Sequence, residues 1–203
     1  MSSNLIDGEV RALRQRGISE ATAKHFQYKV GSYKGQPVHI CPLHTAEGKL
    51  VAQQLRTQDK EFPILGNFAN KPMFGMQLWS NGKKLVICEG AIDAMSVSQV
   101  QDNRWPVLSL PNGAGGAAKA ITSNMEYFNK FEEVVLMFDN DEPGQKAVEQ
   151  CAPLFAPGKC SVARLNGYKD ANEALLAGAG KEIITAIWQA KPYRPDGIVS
   201  LSD

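Results

Sequence analysis

Much is missing from these 203 residues, and each absence removes a class of protein. No apolar run approaches the roughly 20 residues that a bilayer-spanning helix needs. Met1–Val10 has neither the basic start nor the apolar stretch of a signal peptide, so export is not expected. Lysine and arginine barely outnumber the acids, and a net charge of +1 rules out a uniformly basic nucleic-acid binder. Contact with nucleic acid would have to come from a local patch or through a metal. The four cysteines form no CxxC pair. Cys41 and His44 in "CPLH" have a zinc-like spacing but lack a second pair, so no zinc is expected in this chain and a reducing cytoplasmic setting is favoured. There is no GKS or GKT ending to make a phosphate-binding P-loop.

Alternation is present from Lys83 onward. "KLVIC", "PVLSL", "EVVLMF" and "CSVARL" are apolar runs, and segments of helical periodicity follow the first three. Strands without a polar alternate are buried on both faces, and strand–helix repetition implies a parallel sheet. An α/β domain of about four strands is predicted. Before Lys83 the pattern is mixed. "EVRALRQRGI" and "SEATAKHF" read as short helices, with Gly17 ending the first and Ser19 capping the second. "QPVHICPL" and "KLVAQQLR" read as strands around the turn "HTAEG". "RTQDKEFPILGNFANKPMFGMQLW" reads as loop with short elements. "KDANEALLAG" and "KEIITAIWQA" read as helices, and "KPYRPDGIVSLSD" as the start of a linker. The boundaries expected are residues 1–82, 83–190 and 191–203.

Chemistry concentrates at two strand ends. "KLVICEG" places Glu89 at one, and "VVLMFDND" places Asp139 and Asp141 at another; residues two apart in an extended chain point the same way. Three neighbouring carboxylates oppose one another's ionisation unless a cation or protons compensate. An all-oxygen set suits Mg²⁺ or Mn²⁺, which leave room for phosphate oxygens. The plainer role of Asp141 and Glu142 is to start the next helix, with Pro143 in its first turn. Both roles are compatible. An EF-hand reading of "DNDEPG" fails, because Pro143 holds the fifth position and Gln150 the twelfth. "NGAGGAAK" nearly matches a dinucleotide fingerprint at Gly113, Gly115 and Ala118, but the acid that should close the following strand is missing. It remains a possible neighbour of phosphate.

"CEGAIDAM" with "FDNDEPGQKA" resembles the two motifs of a Toprim domain. "RTQDKEF", "FGMQLW", "PGKCSVARL", "KDANE" and "WQAKPYRPDGIVS" narrow the resemblance to the primase half of phage bifunctional primase-helicases, relatives of mitochondrial Twinkle. It implies a Rossmann-like parallel sheet between helices with a smaller N-terminal α+β subdomain. It also implies a DNA-dependent RNA polymerase that makes primers from ribonucleoside triphosphates on single-stranded DNA. Glu89, Asp139 and Asp141 match the acidic catalytic positions, and Asp170 a further acid that joins them around the metal. Lys60 matches a lysine of nucleotide handling. Arg56, Gly90 and Asp93 belong to the expected nucleotide site, and Lys49 and Lys71 to a template groove. Glu89 as base and Glu89 as metal-side carboxylate both stay open. Gln54 departs from the relatives, which carry a lysine there. A zinc module that reads the template and a replicative helicase would be supplied elsewhere, and the linker-like close favours an excised catalytic domain. A phage protein of this kind would work in the cytoplasm of an infected bacterium. The rival readings are a Toprim nuclease and a non-catalytic module that docks DNA or helicase. Trp79, Trp105 and Trp188 are expected to pack in the core or between the two parts.

Overall fold

The structure, a computed structural model, describes residues 4–194. The N-terminal part is an antiparallel sheet ordered β1-β2-β3-β4-β5, built from β1 (Gly8–Glu9), β2 (Lys29–Tyr33), β3 (Gln36–His44), β4 (Leu50–Arg56) and β5 (Ile64–Gly66). The helix α1 (Glu20–His25) precedes β2, and Ser19 caps it by accepting from the Thr22 N–H at 3.2 Å. The predicted β3–β4 hairpin is present, closed by Thr45 N–H on the Lys49 carbonyl.

The helix expected over "EVRALRQRGI" does not form. Glu9 pairs with Val30 in the sheet instead, and only Arg14–Arg16 make a 3-10 turn. Leu13 and Ile18, both buried, exchange backbone hydrogen bonds across that turn, which Gly17 ends at φ +66°. Burying two apolar residues so close together folds the chain back before a second helical turn can start. The strand β2 is an addition to the expected elements. Its two-residue turn, Lys34–Gly35, has both residues at positive φ, the mirror-image geometry that suits a hairpin.

The second sheet is ordered β10-β9-β8-β6-β7, from β6 (Gly82–Cys88), β7 (Val107–Ser109), β8 (Phe131–Met137), β9 (Cys160–Val162) and β10 (Lys191–Pro192). The four strands expected are parallel; β10 runs antiparallel along β9, so two residues read as linker lie on the sheet edge. Tyr193 continues the contact by donating its N–H to the Cys160 carbonyl at 2.8 Å, and residues 195–203 of the linker reading lie outside the described residues. Alternate strand residues serve two layers. Val86, Cys88, Val135 and Met137 belong to one buried cluster, with α2 (Ala91–Val100), α6 (Ala171–Leu176) and α7 (Gly180–Trp188). Leu85, Ile87, Val134 and Leu136 belong to the other, with α3 (Ala117–Ser123), α4 (Met125–Phe128) and α5 (Glu142–Cys151). This two-sided cover is why the strands read as unbroken apolar runs. The helix expected over "GGAAKAITSNMEYF" is broken at Asn124, whose amide donates to the carbonyls of Ala120 and Lys71.

The two parts share a core. Phe26, Tyr28, Leu43, Ala52 and Phe74 join the cluster of Val86 and Ile92. Polar struts reinforce it. Gln99 accepts from the Ser19 N–H and donates to the Gly17 carbonyl, both at 2.8 Å. Gln54 donates to the Pro111 carbonyl at 2.5 Å. Of the three tryptophans only Trp79 is partly buried, with its indole N–H on the Val107 carbonyl. Trp105 and Trp188 are 61% and 71% exposed, against the expectation of core packing. No helix among the described residues is long and apolar enough to cross a membrane.

Candidate active site

The chain runs from β6 through α2 to β7 on one side, then returns to place β8 on the other side of β6. The strand order therefore reverses between β6 and β8. Ligands of open α/β sheets bind beyond the carboxyl ends of strands at such a point. Cys88 pairs with Met137 as the last register partners of these two strands. Glu89 leaves one strand end directly, and Asp139 follows Phe138 from the other. Residues fifty apart in sequence are thus neighbours in the sheet.

Burial, more than any other cause, pushes the Glu89 carboxyl up, with Asp141 adding repulsion and the backbone N–H groups of Ala114 and Asp139 opposing it. Its Oε2 is buried and has no hydrogen-bond partner. Asp139 is pushed up to about 7, first by burial and then by Glu89 and Asp170. Asp141 behaves differently. Its Oδ1 accepts from the Gly144 N–H at 3.0 Å and caps α5, and this bond and Lys169 hold its carboxyl below the usual range. Gly144 has no alternative side chain: a Cβ there would collide with the Asp139 carbonyl oxygen. The cap and the acidic pair are consequently one unit.

Asp170 caps α6 by accepting from the Glu173 N–H at 2.8 Å. Asp93, expected among the nucleotide contacts, accepts from the Asn172 N–H at 3.0 Å and is pushed up to about 7 by burial and by Asp170. One of its oxygens thus ties α2 to α6. Gly90 begins α2, and a Cβ on it would lie 3.1 Å from the Asp93 Oδ2. Glu89, Gly90, Asp93 and Asp139 line a cavity of about 300 Å³, walled on the other side by Gln54 and Arg56 of the N-terminal sheet and by Tyr28, just before β2. Asn112 and Gly113 of the glycine-rich loop form part of its rim.

A larger cavity of about 800 Å³ adjoins it, and Arg56 lines both. Lys60 lines it from a tight turn in which its own φ is +59°, together with Arg11, Arg14, Arg16 and His39. His39 is held below the usual histidine range by burial first, then by Arg56, Arg16 and Arg11, so these cations surround it. The three N-terminal arginines are hidden in the sequence because "EVRALRQRGI" reads as a short helix. The fold-back at Leu13–Ile18 carries them to the cavity instead. Lys49 and Lys71 are not there. Lys49 sits in the turn at the far end of the β3–β4 hairpin, and Lys71 follows β5 with its ammonium over Phe68.

A divalent metal has a donor set to meet here. The Glu89 Oε2 is orphaned, and Asp139 is pushed up by burial and by its acidic neighbours with only Lys169, 3.9 Å away, to offset them, although no three metal-binding side chains are gathered closely among the described residues. The donors fit a hard cation by their chemistry, while their side chains stand apart.

Residues 86–175 match the Toprim-like family, and residues 8–66 match the family described as the bacteriophage T7 DNA helicase/primase N-terminal a+b fold. The DNA helicase/primase of Enterobacteria phage T3 is 40% identical over 194 residues, covering 96% of this chain and 34% of that protein. The chain therefore spans about a third of that curated relative. The primase fragment of the bacteriophage T7 primase-helicase superposes with a TM-score of 0.84 at 40% identity, over 92% of this chain and 76% of the fragment. A Twinkle homolog of Arabidopsis thaliana is 24% identical over 83% of this chain and 26% of its own length.

Proposed function

The chain belongs to the family of bacteriophage primase-helicases, matching its primase part, and on that membership we propose that it is a primase catalytic core: a nucleotidyltransferase that builds short RNA primers on single-stranded DNA. The observation that carries this reading is the meeting of Glu89 and Asp139 at the switch point, with a basic cavity opening beside them. Acid and base separated this way suit a triphosphate whose α-phosphate faces carboxylates and whose outer phosphates face cations.

Glu89, Asp139 and Asp141, with Asp170 behind them, would hold Mg²⁺ or Mn²⁺. Bound there, the cation would supply charge neutralisation on the phosphoryl oxygens when a 3′-hydroxyl displaces pyrophosphate. Lys60, Arg56, Arg14 and Arg16 bind the phosphates. Tyr28 and Gln54 wall the inner end of the site opposite Gly90 and Asp93. Lys49 and Lys71 are assigned to template strand that continues past the hairpin. A zinc module and a helicase supplied outside residues 4–194 would complete the machine, in the cytoplasm of an infected bacterium.

Primer synthesis tests the reading directly. Ribonucleotides, single-stranded DNA and Mg²⁺ or Mn²⁺ should give short RNA products, with a zinc module added in trans where required. Asp139→Ala should abolish them. Equal activity in that variant would sink the metal-site assignment, and cleavage without synthesis would favour a nuclease.

A further inference from the structure

One cation already touches the acidic pair. The Lys169 Nζ lies 3.3 Å from the Asp141 Oδ2 and 3.9 Å from the Asp139 Oδ2. These are two of the carboxylates to which the proposed function gives a metal. We propose that Lys169 is a built-in competitor for the divalent cation: its ammonium holds Asp139 and Asp141 while the site is metal-free and must leave when the metal binds. The inference rests on the metal reading above.

The lysine is presented by construction. Asn140, between the two aspartates, donates its backbone N–H to the Lys169 carbonyl at 2.8 Å. Its side-chain amide donates to the carbonyls of Leu165 at 2.5 Å and Tyr168 at 2.8 Å. These bonds fasten the loop before α6 to the acidic loop after β8. The Lys169 N–H also donates to the Glu173 Oε2 at 2.5 Å, which ties its backbone to α6. The Lys169 backbone is therefore held on both sides. Its side chain is free to swing, because it is 57% exposed and leaving would unpack little. The sequence pattern "DND" followed by "KD" encodes both halves of the device, a clamp and the charge it positions.

An ammonium and a divalent ion cannot share the same carboxylate oxygens, since each would repel the other at contact distance. Losing the ammonium therefore costs the metal part of its binding energy. A partly exposed pair of this kind weakens metal binding by roughly three- to tenfold. The arrangement stabilises the acids before metal arrives. It also makes metal occupancy depend on what else arrives with it, including phosphate oxygens that can take over the displaced ammonium.

Mn²⁺ titration of the whole chain without nucleotide, followed by the electron paramagnetic resonance of free Mn²⁺, tests this. Lys169→Met should bind Mn²⁺ roughly three- to tenfold more tightly than the parent, while Lys169→Arg stays near the parent and Asp139→Ala loses binding. In thermal unfolding, the gain on adding Mn²⁺ is a readout that a purely structural lysine would not move. Lys169→Met should melt lower than the parent in chelator, yet gain more from added Mn²⁺. Should the parent bind Mn²⁺ through Asp139 while Lys169→Met binds no tighter, the competitor role is wrong and the metal site stands. If Asp139→Ala binds as well as the parent, the metal reading fails and takes this inference with it.

Discussion

Asp139→Asn should make the metal-free protein more stable at alkaline pH while removing its response to metal. Asp139 holds its proton up to about 7, against an ordinary value of 3.8. Its side chain is 18% exposed, so solvent screens little of this. A folded state that keeps a proton the unfolded chain has lost becomes less stable as pH rises between those two values, and stays less stable above them. A difference of about three pH units in proton affinity corresponds to about 4 kcal/mol as an upper bound. Because the raised Glu89 carboxyl repels Asp139 and part of the shift belongs to that pair, about 2 kcal/mol is the effect expected for Asp139 alone. Asparagine keeps the shape and removes the charge. Urea unfolding followed by circular dichroism, in chelator, should show the parent losing about 2 kcal/mol more than the variant between about pH 4 and pH 8, because Asp93, also pushed up to about 7, weakens both alike. The variant should be the more stable of the two at about pH 8. Excess Mn²⁺ should reverse the order, because only the parent gains from a ligand that binds the folded state. A variant that is less stable than the parent at alkaline pH in chelator would refute this electrostatic account of the acidic site.

Three further outcomes can be measured. Gly144→Ala should push the Asp139 carbonyl aside and cost about 2–4 kcal/mol in urea unfolding, with Mn²⁺ affinity falling in parallel; unchanged Mn²⁺ binding would mean that the cap and the acidic pair are independent. Gln54→Ala removes the bond to the Pro111 carbonyl that ties β4 to the rim of the acidic cavity, and should cost about 1–2 kcal/mol by the same assay. Arg16→Ala should raise KM for ribonucleotides about tenfold with kcat nearly unchanged, and the His39 ring should titrate at higher pH by NMR once one neighbouring cation is gone.

Legibility in the sequence followed interaction range. The hairpin β3–β4, the capped helix α1 and the four parallel strands rest on local pattern, and each is readable from it. The basic turn is not, because the pairing of Leu13 with Ile18 and of Glu9 with Val30 overrides a helical periodicity that those residues genuinely have. Gln54 looks like a lost cation in the sequence; in the fold it is a strut. Trp105 and Trp188 look like core because large aromatics usually bury area, yet each falls near the end of an element at the surface.

By itself, the sequence determined the acids and their order along the chain, since residue type and period-2 spacing are local properties. It also determined that both strands would be covered on two faces. Only the tertiary structure decided that Glu89 and Asp139 are neighbours, because adjacency across a sheet depends on which side of β6 the strand β8 returns to. The same is true of Lys169. Nothing in "YKDANE" says that its ammonium reaches Asp141; the Asn140 hydrogen bonds, made between segments some thirty residues apart, bring it there.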